Sequence, residues 1–237
     1  GIDAKAALAL PGVHAIITAK DLGTLMPRVP LRLQPLPQLE PFHQPMLAHD
    51  KVRYVGEPVA VIVADTQAIA EDAHDLVALD IEPLPAVTDR ASAEAPAAVL
   101  FEAHGSNTVL TWHATKGDAA EAFADAPYTR KERFSVQRHA AMFMEPRGFV
   151  AEWDAKSQHM TVWGVAKVAW VNRRILATAM GLQESQIEMI EVDVGGGFGS
   201  RGEFYPEDFL IPFAARQVRR PVKWIEDRRE HLMTANH

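Results

Sequence analysis

The amino-acid sequence predicts a mixed α/β fold of the α+β class, divided into two domains. Short runs in which apolar and polar residues alternate, as in strands, are interleaved with runs whose apolar residues recur every three or four positions, as in helices. A stretch rich in Ala, Pro and Ser covers residues 86–110 and is typical of a linker. We place the linker at 91–112, between a first domain over 1–90 and a second over 113–237.

In the first domain, the pattern predicts a β–α–β unit within residues 10–85. Residues 59–64 are apolar on both faces, which is typical of a strand buried on two sides. Asp65 or Thr66 can cap the helix that follows, because short polar side chains accept hydrogen bonds from the first free N–H groups of a helix. A second strand is expected over 76–85. The inner face of the helix is assigned to Ile69, Ala73 and Leu76.

In the second domain, strands and helices are expected to alternate. Asp118 starts a short helix, residues 169–181 form a longer one that ends at Gly181, and Pro206 starts a third. The inner face of the longer helix is assigned to Val168, Val171, Ile175 and Ala179, and the outer face mainly to Asn172, Arg173 and Arg174. Strands are expected within 128–139, 145–154, 158–168, 186–194 and 220–227.

The composition excludes several kinds of protein and site. The net charge of -7 argues against nucleic-acid binding, which usually requires a basic surface. The chain has no cysteine, so disulfides, thiolate metal ligands and a cysteine nucleophile are absent from it. No apolar run approaches the roughly 18–20 residues of a membrane span. We therefore expect neither a nucleic-acid partner nor a transmembrane helix.

The two ends of the sequence lack the signals that usually mark the termini of a complete protein. There is no initiator Met and no signal-peptide pattern before the first regular element, and the last residues show no terminal signal. We therefore expect the chain to be a piece of a longer polypeptide, either a truncated form or one part of a split subunit.

The most informative stretch is a glycine-rich loop within residues 193–208, DVGGGFGSRGEFYPED. Five glycines lie between Gly195 and Gly202, after a predicted strand and before a predicted helix. Glycine at this density lets the backbone approach another group closely. That group can be a phosphate, a cofactor or only a neighbouring segment of the protein.

A dinucleotide site is one interpretation of this loop. Residues 197–202 match G-x-G-x-x-G, and Glu226 and Asp227 end the next strand, about where an acid that binds a ribose is expected. Three residues separate Gly202 from Pro206, however, so the glycines lie outside the helix that should carry the third of them. A second alternative is a purely structural crossing of two segments, although Phe198 at the tip of the loop favours a ligand or a partner.

Several motifs in order resemble the large subunit of the molybdenum hydroxylases, the family of xanthine dehydrogenase, aldehyde oxidase and carbon monoxide dehydrogenase. The sequences IDAKAALALPGVHAIITAKDL, VRYVGEPVAVIVADT and AEDAHDLVALDIEPLPAV resemble the family's α/β hammerhead domain. MEPRGFVAEWD resembles the entry to its first molybdopterin-binding domain, and GGGFG followed by RPVKWIEDRREHL resembles that domain's glycine loop and the strand that follows. The resemblance covers nearly the whole chain.

The resemblance implies a function and a set of partners. It implies an oxidoreductase that hydroxylates or dehydrogenates an aldehyde, an N-heterocycle or a similar small molecule with water as the oxygen source. The cofactor would be molybdenum-molybdopterin, of which the cytosine dinucleotide form is one candidate, and the pterin rather than a side chain would hold the metal. Iron-sulfur and FAD subunits, a remaining molybdopterin-binding domain and a cytoplasmic location are implied as well. The isolated chain is expected to be inactive and to bind no molybdopterin tightly, and the substrate is not specified.

The resemblance assigns cofactor contact to Gly196, Gly197, Phe198 and Gly199. The three glycines are small enough to let backbone amides approach the cofactor, and the Phe198 ring would form one wall of the substrate pocket. Glu145 and Arg147, in the EPRG turn, are assigned a structural role in preference to contact with the cofactor.

Two catalytic candidates coincide with departures from the family pattern. Lys167 in WGVAK stands where many members carry a Gln beside the molybdenum, and a lysine there can donate a hydrogen bond and add positive charge. Glu203 in SRGE lies one residue after the position, here Gly202, of a glutamate that helps xanthine-oxidising members to bind purine, so a purine substrate is not expected. For both residues a surface role stays open, and for the whole chain so does that of a non-catalytic assembly module.

Overall fold

The computed structural model describes residues 1–31, 36–94, 98–165 and 167–235. Its strands are β1 (Ile2–Asp3), β2 (Val13–Thr18), β3 (Ala60–Ala64), β4 (Ala78–Leu79), β5 (Gly148–Asp154), β6 (His159–Val165), β7 (Ile187–Glu191) and β8 (Val222–Ile225). Its α-helices are α1 (Lys5–Leu8), α2 (Gln67–His74), α3 (Arg90–Glu94), α4 (Ala119–Asp125), α5 (Ala169–Met180), α6 (Pro206–Val218) and α7 (Arg228–Thr234). In this part of the chain, no helix is long and apolar enough to cross a membrane.

The N-terminal region contains two separate pairs of antiparallel strands. β2 pairs with β3, with Ile16 opposite Ile62, and β1 pairs with β4, with Ile2 opposite Leu79. The strands on either side of α2 therefore belong to different sheets, and the predicted β–α–β unit is wrong as a unit of one sheet. The run of apolar residues identified a strand at β3 but not its partner, β2, whose residues lie more than 40 positions earlier in the chain.

Burial of β3 is also smaller than predicted. Only Val63 is fully buried, while the other residues of the strand are half-buried, because the sheet has just two strands. The helix after it begins as expected: the Thr66 hydroxyl accepts a hydrogen bond from the Ile69 N–H at 3.2 Å. It ends at His74, however, so Leu76 lies beyond it and is exposed.

The C-terminal region forms a four-stranded sheet in the order β7-β6-β5-β8. β5 pairs antiparallel with both β6 and β8, and α5 connects the parallel strands β6 and β7. Gly181 ends α5 in the left-handed conformation, as predicted. Pro206 occupies the first turn of α6, also as predicted, and Asp118 caps α4 through the Glu121 N–H at 3.0 Å.

One hydrophobic core joins the two regions through α6. This helix contacts β5 and β8 on one side and β2 and β3 on the other, so it is buried on nearly all sides. The fully buried side chains of the shared core include Ile17, Leu47, Met160, Leu176 and Phe209. The position of α6 therefore depends on both regions.

The inner face of α5 differs from the predicted one. Asn172, Leu176, Ala177 and Met180 are buried, whereas Val171, Ile175 and Ala179 are only half-buried. The apolar stripe of this helix is wide, and the sheet and α6 cover its Leu and Met side in preference to its Val and Ile side. Asn172, assigned to the outer face, is in fact 2% exposed.

Two further differences concern residues 128–139 and α7. The predicted strand over 128–139 forms no pair with any strand that the structure describes, and its apolar residues are exposed. Conversely, α7 was not predicted, although Asp227 and Glu230 have the D-x-x-E spacing of a helix start. The Asp227 carboxylate accepts hydrogen bonds from the N–H groups of Arg229 at 2.8 Å and Glu230 at 3.4 Å.

A matched pair of glycine substitutions tests the close contact between β5 and β6. At Gly164, φ is +106° and an added Cβ would lie 2.2 Å from the Gly148 carbonyl oxygen, whereas at Gly105 φ is +75° and the space is open. We expect Gly105→Ala to lower the free energy of unfolding by about 1 kcal/mol, from backbone strain alone. Gly164→Ala should cost about 3 kcal/mol, because strain and displacement of β5 add. Urea denaturation of both variants measures the difference, and equal losses would contradict the contact.

Candidate active site

Four strand ends meet at one edge of the C-terminal sheet. β6 and β7 run parallel and end together, with Trp163 opposite Ile190. β5 begins at this edge, and β8 ends there, since Gly148 lies opposite Ile225. The segments before β5 and after β6, β7 and β8 therefore emerge side by side. The chain places the EPRG turn, Lys167, the glycine loop and Glu226 on these four segments.

The glycine loop presents an open outer face. Gly196 and Gly199 have φ of +102° and +93°, and Phe198 between them also has a positive φ, of +46°, which is uncommon for an aromatic residue. The Phe198 ring is 76% exposed. An added Cβ at Gly199 would meet nothing within 4 Å, and at Gly197 only the Arg201 Cβ at 3.5 Å. The outer face thus has room for another group to approach the backbone.

The inner face of the loop is fastened to the EPRG turn. The Glu145 carboxylate accepts a hydrogen bond from the Gly195 N–H at 2.5 Å and lies 3.3 Å from Nη1 of Arg201. Arg201 also donates to the carbonyl groups of Glu145 and Pro146, and its guanidinium lies 4.5 Å from the centre of the Phe143 ring. We call these contacts the Glu145–Arg201 clasp. They hold the loop from behind and leave its front free.

A buried ionic cluster lies behind the clasp. Arg147 donates from Nε and Nη2 to one Glu226 carboxylate oxygen, at 3.1 and 2.7 Å. The other Glu226 oxygen is 3.0 Å from His231 Nδ1, and His231 Nε2 is 3.0 Å from the Ala141 carbonyl oxygen. Arg147, Glu226 and His231 are 3%, 2% and 0% exposed. The cluster therefore fastens the start of β5, the end of β8 and α7 to one another.

Neighbouring charges maintain Arg147 as a cation. Burial by itself disfavours its charged form, but Glu207, 3.6 Å away, and Glu226 more than offset this effect and raise the pKa of Arg147. The guanidinium also lies 3.8 Å from the centre of the Tyr205 ring, a favourable cation–π distance. These contacts confirm the structural role predicted for Arg147, and the clasp does the same for Glu145.

The two predicted catalytic residues occupy different environments. Lys167 is exposed, in the bend between β6 and α5, and so lies at the same sheet edge as the glycine loop. Glu203 is half-buried and lines two cavities. One is a cleft of about 270 Å³ that it shares with Tyr54 and Glu207. The other, of about 10 Å³, is shared with Arg147 and Asn172. The catalytic roles of Lys167 and Glu203 stay predictions.

Sequence reasoning missed several residues that build the site. Arg201 lies within the glycine-rich stretch, between Gly199 and Gly202, but nothing in the sequence indicates that its side chain turns back to Glu145. Asn172 could have been found as a polar residue four positions from Leu176 on an otherwise apolar helix face. The pairing of Glu226 with Arg147 gave no sequence signal, because the two residues lie 79 positions apart.

Comparison with known proteins identifies the family. The family model described as "Aldehyde oxidase and xanthine dehydrogenase, a/b hammerhead domain" matches residues 1–85, and the "Molybdopterin cofactor-binding domain" model matches residues 100–237. The chain belongs to the molybdenum hydroxylase large-subunit family. The predicted fold class, a hammerhead domain followed by part of a molybdopterin-binding domain, is confirmed.

Individual members of the molybdenum hydroxylase family match along the whole chain. The nicotine 6-hydroxylase large subunit of Paenarthrobacter nicotinovorans is 36% identical over 100% of this chain and 29% of its own length. The carbon monoxide dehydrogenase large chain of Hydrogenophaga pseudoflava is 35% identical over 98% of this chain and 30% of its own. The crystal structure of quinoline 2-oxidoreductase from Pseudomonas putida 86 superposes with a TM-score of 0.86 at 33% identity, over 100% of this chain and 30% of that one. This chain thus spans about 30% of these relatives' length.

The glycine loop fits the cofactor that the family implies. Backbone amides approach a bound group closely only where no side chain intervenes, and the outer face at Gly197 and Gly199 meets this condition. Contact of Gly196, Gly197, Phe198 and Gly199 with molybdopterin stays a prediction.

The buried ion pair gives a stability prediction. In Glu226→Gln, the shape of the side chain is kept but the buried Arg147 loses its nearest, hydrogen-bonded counter-charge, so we expect the free energy of unfolding to fall by about 3 kcal/mol. Glu94→Gln is the matched control, because the Arg90–Glu94 pair is exposed at 87% and 64% and its loss should leave the free energy of unfolding nearly unchanged. Urea denaturation compares the two variants, and a loss for Glu226→Gln no greater than that for the control would contradict the role of the cluster.

Asp208 gives a pH prediction. Burial raises the pKa of its carboxyl from 3.8 to about 7, although the Tyr205 N–H, which donates to it at 2.9 Å, opposes the shift. Because the unfolded chain releases this proton at lower pH than the folded chain, Asp208 lowers stability progressively as the pH rises from about 4 to about 7. Asp208→Asn keeps the hydrogen-bond acceptor and removes this dependence. Unfolding at pH 5 and 7.5 should therefore show a smaller decrease in the variant, and equal decreases would contradict the assignment.

Proposed function

We propose that this chain forms one wall of the active site of a molybdenum hydroxylase-type oxidoreductase. The reaction would be hydroxylation or dehydrogenation of an aldehyde, an N-heterocycle or a similar small molecule, with water as the oxygen source. The observation that carries the proposal is the glycine loop, which the clasp holds from behind and which is open in front, at an edge where four strand ends meet. A loop of this kind is organised in advance to receive a ligand and needs little rearrangement to bind it.

The residues of the chain have separate parts in this proposal. Backbone groups of Gly196, Gly197 and Gly199 bind and orient the molybdenum-molybdopterin cofactor, which when bound supplies the oxidation–reduction chemistry. Phe198 excludes water and forms a wall against which a flat apolar substrate can pack. Lys167 emerges at the same edge and can donate a hydrogen bond or stabilise negative charge there. Glu203, which lines the cleft of about 270 Å³, is the second catalytic residue of the proposal.

The proposed substrates follow from the relatives and from Gly202. Relatives are named for nicotine, carbon monoxide, quinoline and aldehydes, all small molecules. Where purine-oxidising members carry a glutamate, this chain has the buried Gly202, which offers no carboxylate. An aldehyde or an N-heterocycle other than a purine is therefore proposed. Iron-sulfur and FAD subunits, the remaining molybdopterin-binding region and a cytoplasmic location belong to the same proposal.

The dinucleotide alternative is disfavoured by the surroundings of its two acids. Glu226 is buried against Arg147 and His231, and Asp227 caps α7, so neither carboxylate is available to a ribose. Gly202 lies in a short 3₁₀ turn before α6 rather than inside its first turn. The other alternative, a non-catalytic assembly module, predicts a complex without molybdenum.

Gly197→Ala in the assembled enzyme tests the proposal. Its φ lies outside the left-handed region and the new Cβ meets only an ordinary contact, so the melting temperature of the chain should not change. If the cofactor lies against the loop, the methyl group displaces it, and we expect activity to fall by about 100-fold together with a loss of molybdenum. Dye-linked oxidation of an aldehyde and an N-heterocycle, with molybdenum determined by mass spectrometry, gives both readouts.

Gly195→Ala serves as the control for structural damage. Its Cβ would lie 2.6 Å from the Glu145 Cβ, so this variant should lose thermal stability as well as activity. Full molybdenum content and full activity in Gly197→Ala would show that the loop does not face the cofactor. A wild-type complex that contains no molybdenum would support the assembly module instead.

A further inference from the structure

Residues 108–138 form an exposed arm on the surface of the second domain. All but one of these residues are exposed, including four aromatic side chains between 66% and 83% exposed: Trp112, Phe123, Tyr128 and Phe134. Monomeric proteins rarely leave so many large apolar side chains together in water, and such patches usually mark an interaction site.

Both ends of the arm are fastened to the body of the protein. At the first end, the Asn107 side chain accepts a hydrogen bond from the Leu100 N–H at 2.9 Å, and the Leu100 carbonyl accepts one from Nε of Arg53, in the first domain, at 3.0 Å. At the second end, Arg138 donates to the Ala235 carbonyl at 2.6 Å. The arm is therefore held in place and is not a frayed terminus.

The second half of the arm has the pattern of a strand with one buried face. Over 128–138 the even positions include three large apolar and three charged residues. Arg130 and Glu132 form an ion pair with each other, and Arg138 is the anchor at the second end of the arm. The even-numbered apolar residues are Tyr128, Phe134 and Val136. The odd-numbered residues are all polar: Thr129, Lys131, Arg133, Ser135 and Gln137. Period-2 alternation of this kind is typical of a strand that covers a core on one side.

We propose that residues 128–138 join, as an added strand, the edge of a β-sheet in the remaining part of the large subunit, with the even-numbered face buried. The inference rests on the assembly in the proposed function. Among the described residues no strand pairs with this segment, so its backbone donors and acceptors are available for strand addition. The exposed apolar side chains on its even-numbered face supply the hydrophobic contact with the partner sheet.

Three observations favour this occupant. First, roughly 70% of the length of the relatives' large subunits lies outside the part matched here, by difference from the 29–30% coverage, and this region is the nearest candidate partner. Second, the arm leads directly into Phe143 and Glu145, which contact the glycine loop, so a partner on the arm lies beside the candidate active site. Third, residues 128–138 carry four basic residues against one acidic residue in a chain of net charge -7, which favours a partner with an acidic rim.

Hydrogen exchange and binding measurements test the inference. The remaining large-subunit polypeptide from the same source is produced separately and mixed with the full chain, and amide exchange is followed by mass spectrometry. We expect exchange within 128–138 to slow by at least about 100-fold on assembly, because the amides become paired in a sheet. Phe134→Asp should weaken the complex at least about tenfold, since it places a charge on the buried face.

Ser135→Asp is the matched control, because it introduces the same charge one position along, on the polar face, and should change the dissociation constant by less than about threefold. Unchanged exchange within 128–138 in the complex, or equal effects of the two variants, would overturn the inference. So would a dimer of this chain alone in which 128–138 is already protected, since the occupant would then be a second copy. Molybdenum content is measured in the same samples. A complex that contains molybdenum but leaves 128–138 unprotected would refute this inference alone. A complex that protects 128–138 but contains no molybdenum would refute the proposed function alone.

Discussion

The site depends on one buried interaction, the ion pair between Arg147 and Glu226. Its two partners come from the start of β5 and the end of β8, and Glu226 also holds His231 of α7. Charges inside a protein are tolerated only when they are paired and hydrogen-bonded, so this geometry is demanding and any shift of one strand end leaves a charge without its partner. The pair therefore sets the relative positions of the elements from which the candidate site is built.

The position of the glycine loop at the surface depends on this buried ion pair. Glu145 lies two residues before Arg147, and the clasp that it forms with Arg201 holds the loop against the turn. Strain at Phe198, whose φ is positive, is maintained by contacts on the inner face of the loop and not by its own conformational preference. The buried charges, the turn and the loop thus form a series in which each part positions the next, and only the outer surface of the last part is left for a ligand.

Several helix ends could be predicted from residues that are neighbours in the sequence. Caps at Thr66 and Asp118, the end of α5 at Gly181 and the start of α6 at Pro206 follow from residues within one turn, and all four were correct. The predictions that were wrong concern which segments pair or pack with one another. β3 was a recognisable strand whose pairing with β2 was not foreseen, and residues 128–139 have the alternation of a strand although the described chain provides none to pair with. Asn172 was assigned to the wrong face because the stripe on α5 is wide enough for two orientations.

By itself, the sequence determined the fold class, the family and one end each of α2, α4, α5 and α6, and it indicated the glycine loop as the predicted place of cofactor contact. These features depend on backbone preferences and on motifs of a few adjacent residues, which act the same way in any context. Only the tertiary structure decided that Glu145 and Arg201 fasten the loop, that Arg147, Glu226 and His231 share one buried cluster, and that the acids after β8 are not available to a ligand. The contacts that Glu145 and Arg147 make in these groups, and that of His231 with Ala141, join residues 50 to 90 positions apart. Whether two such residues meet depends on how the sheet and α6 pack. In the sequence of each segment alone, the same polar side chains could equally well be exposed to water.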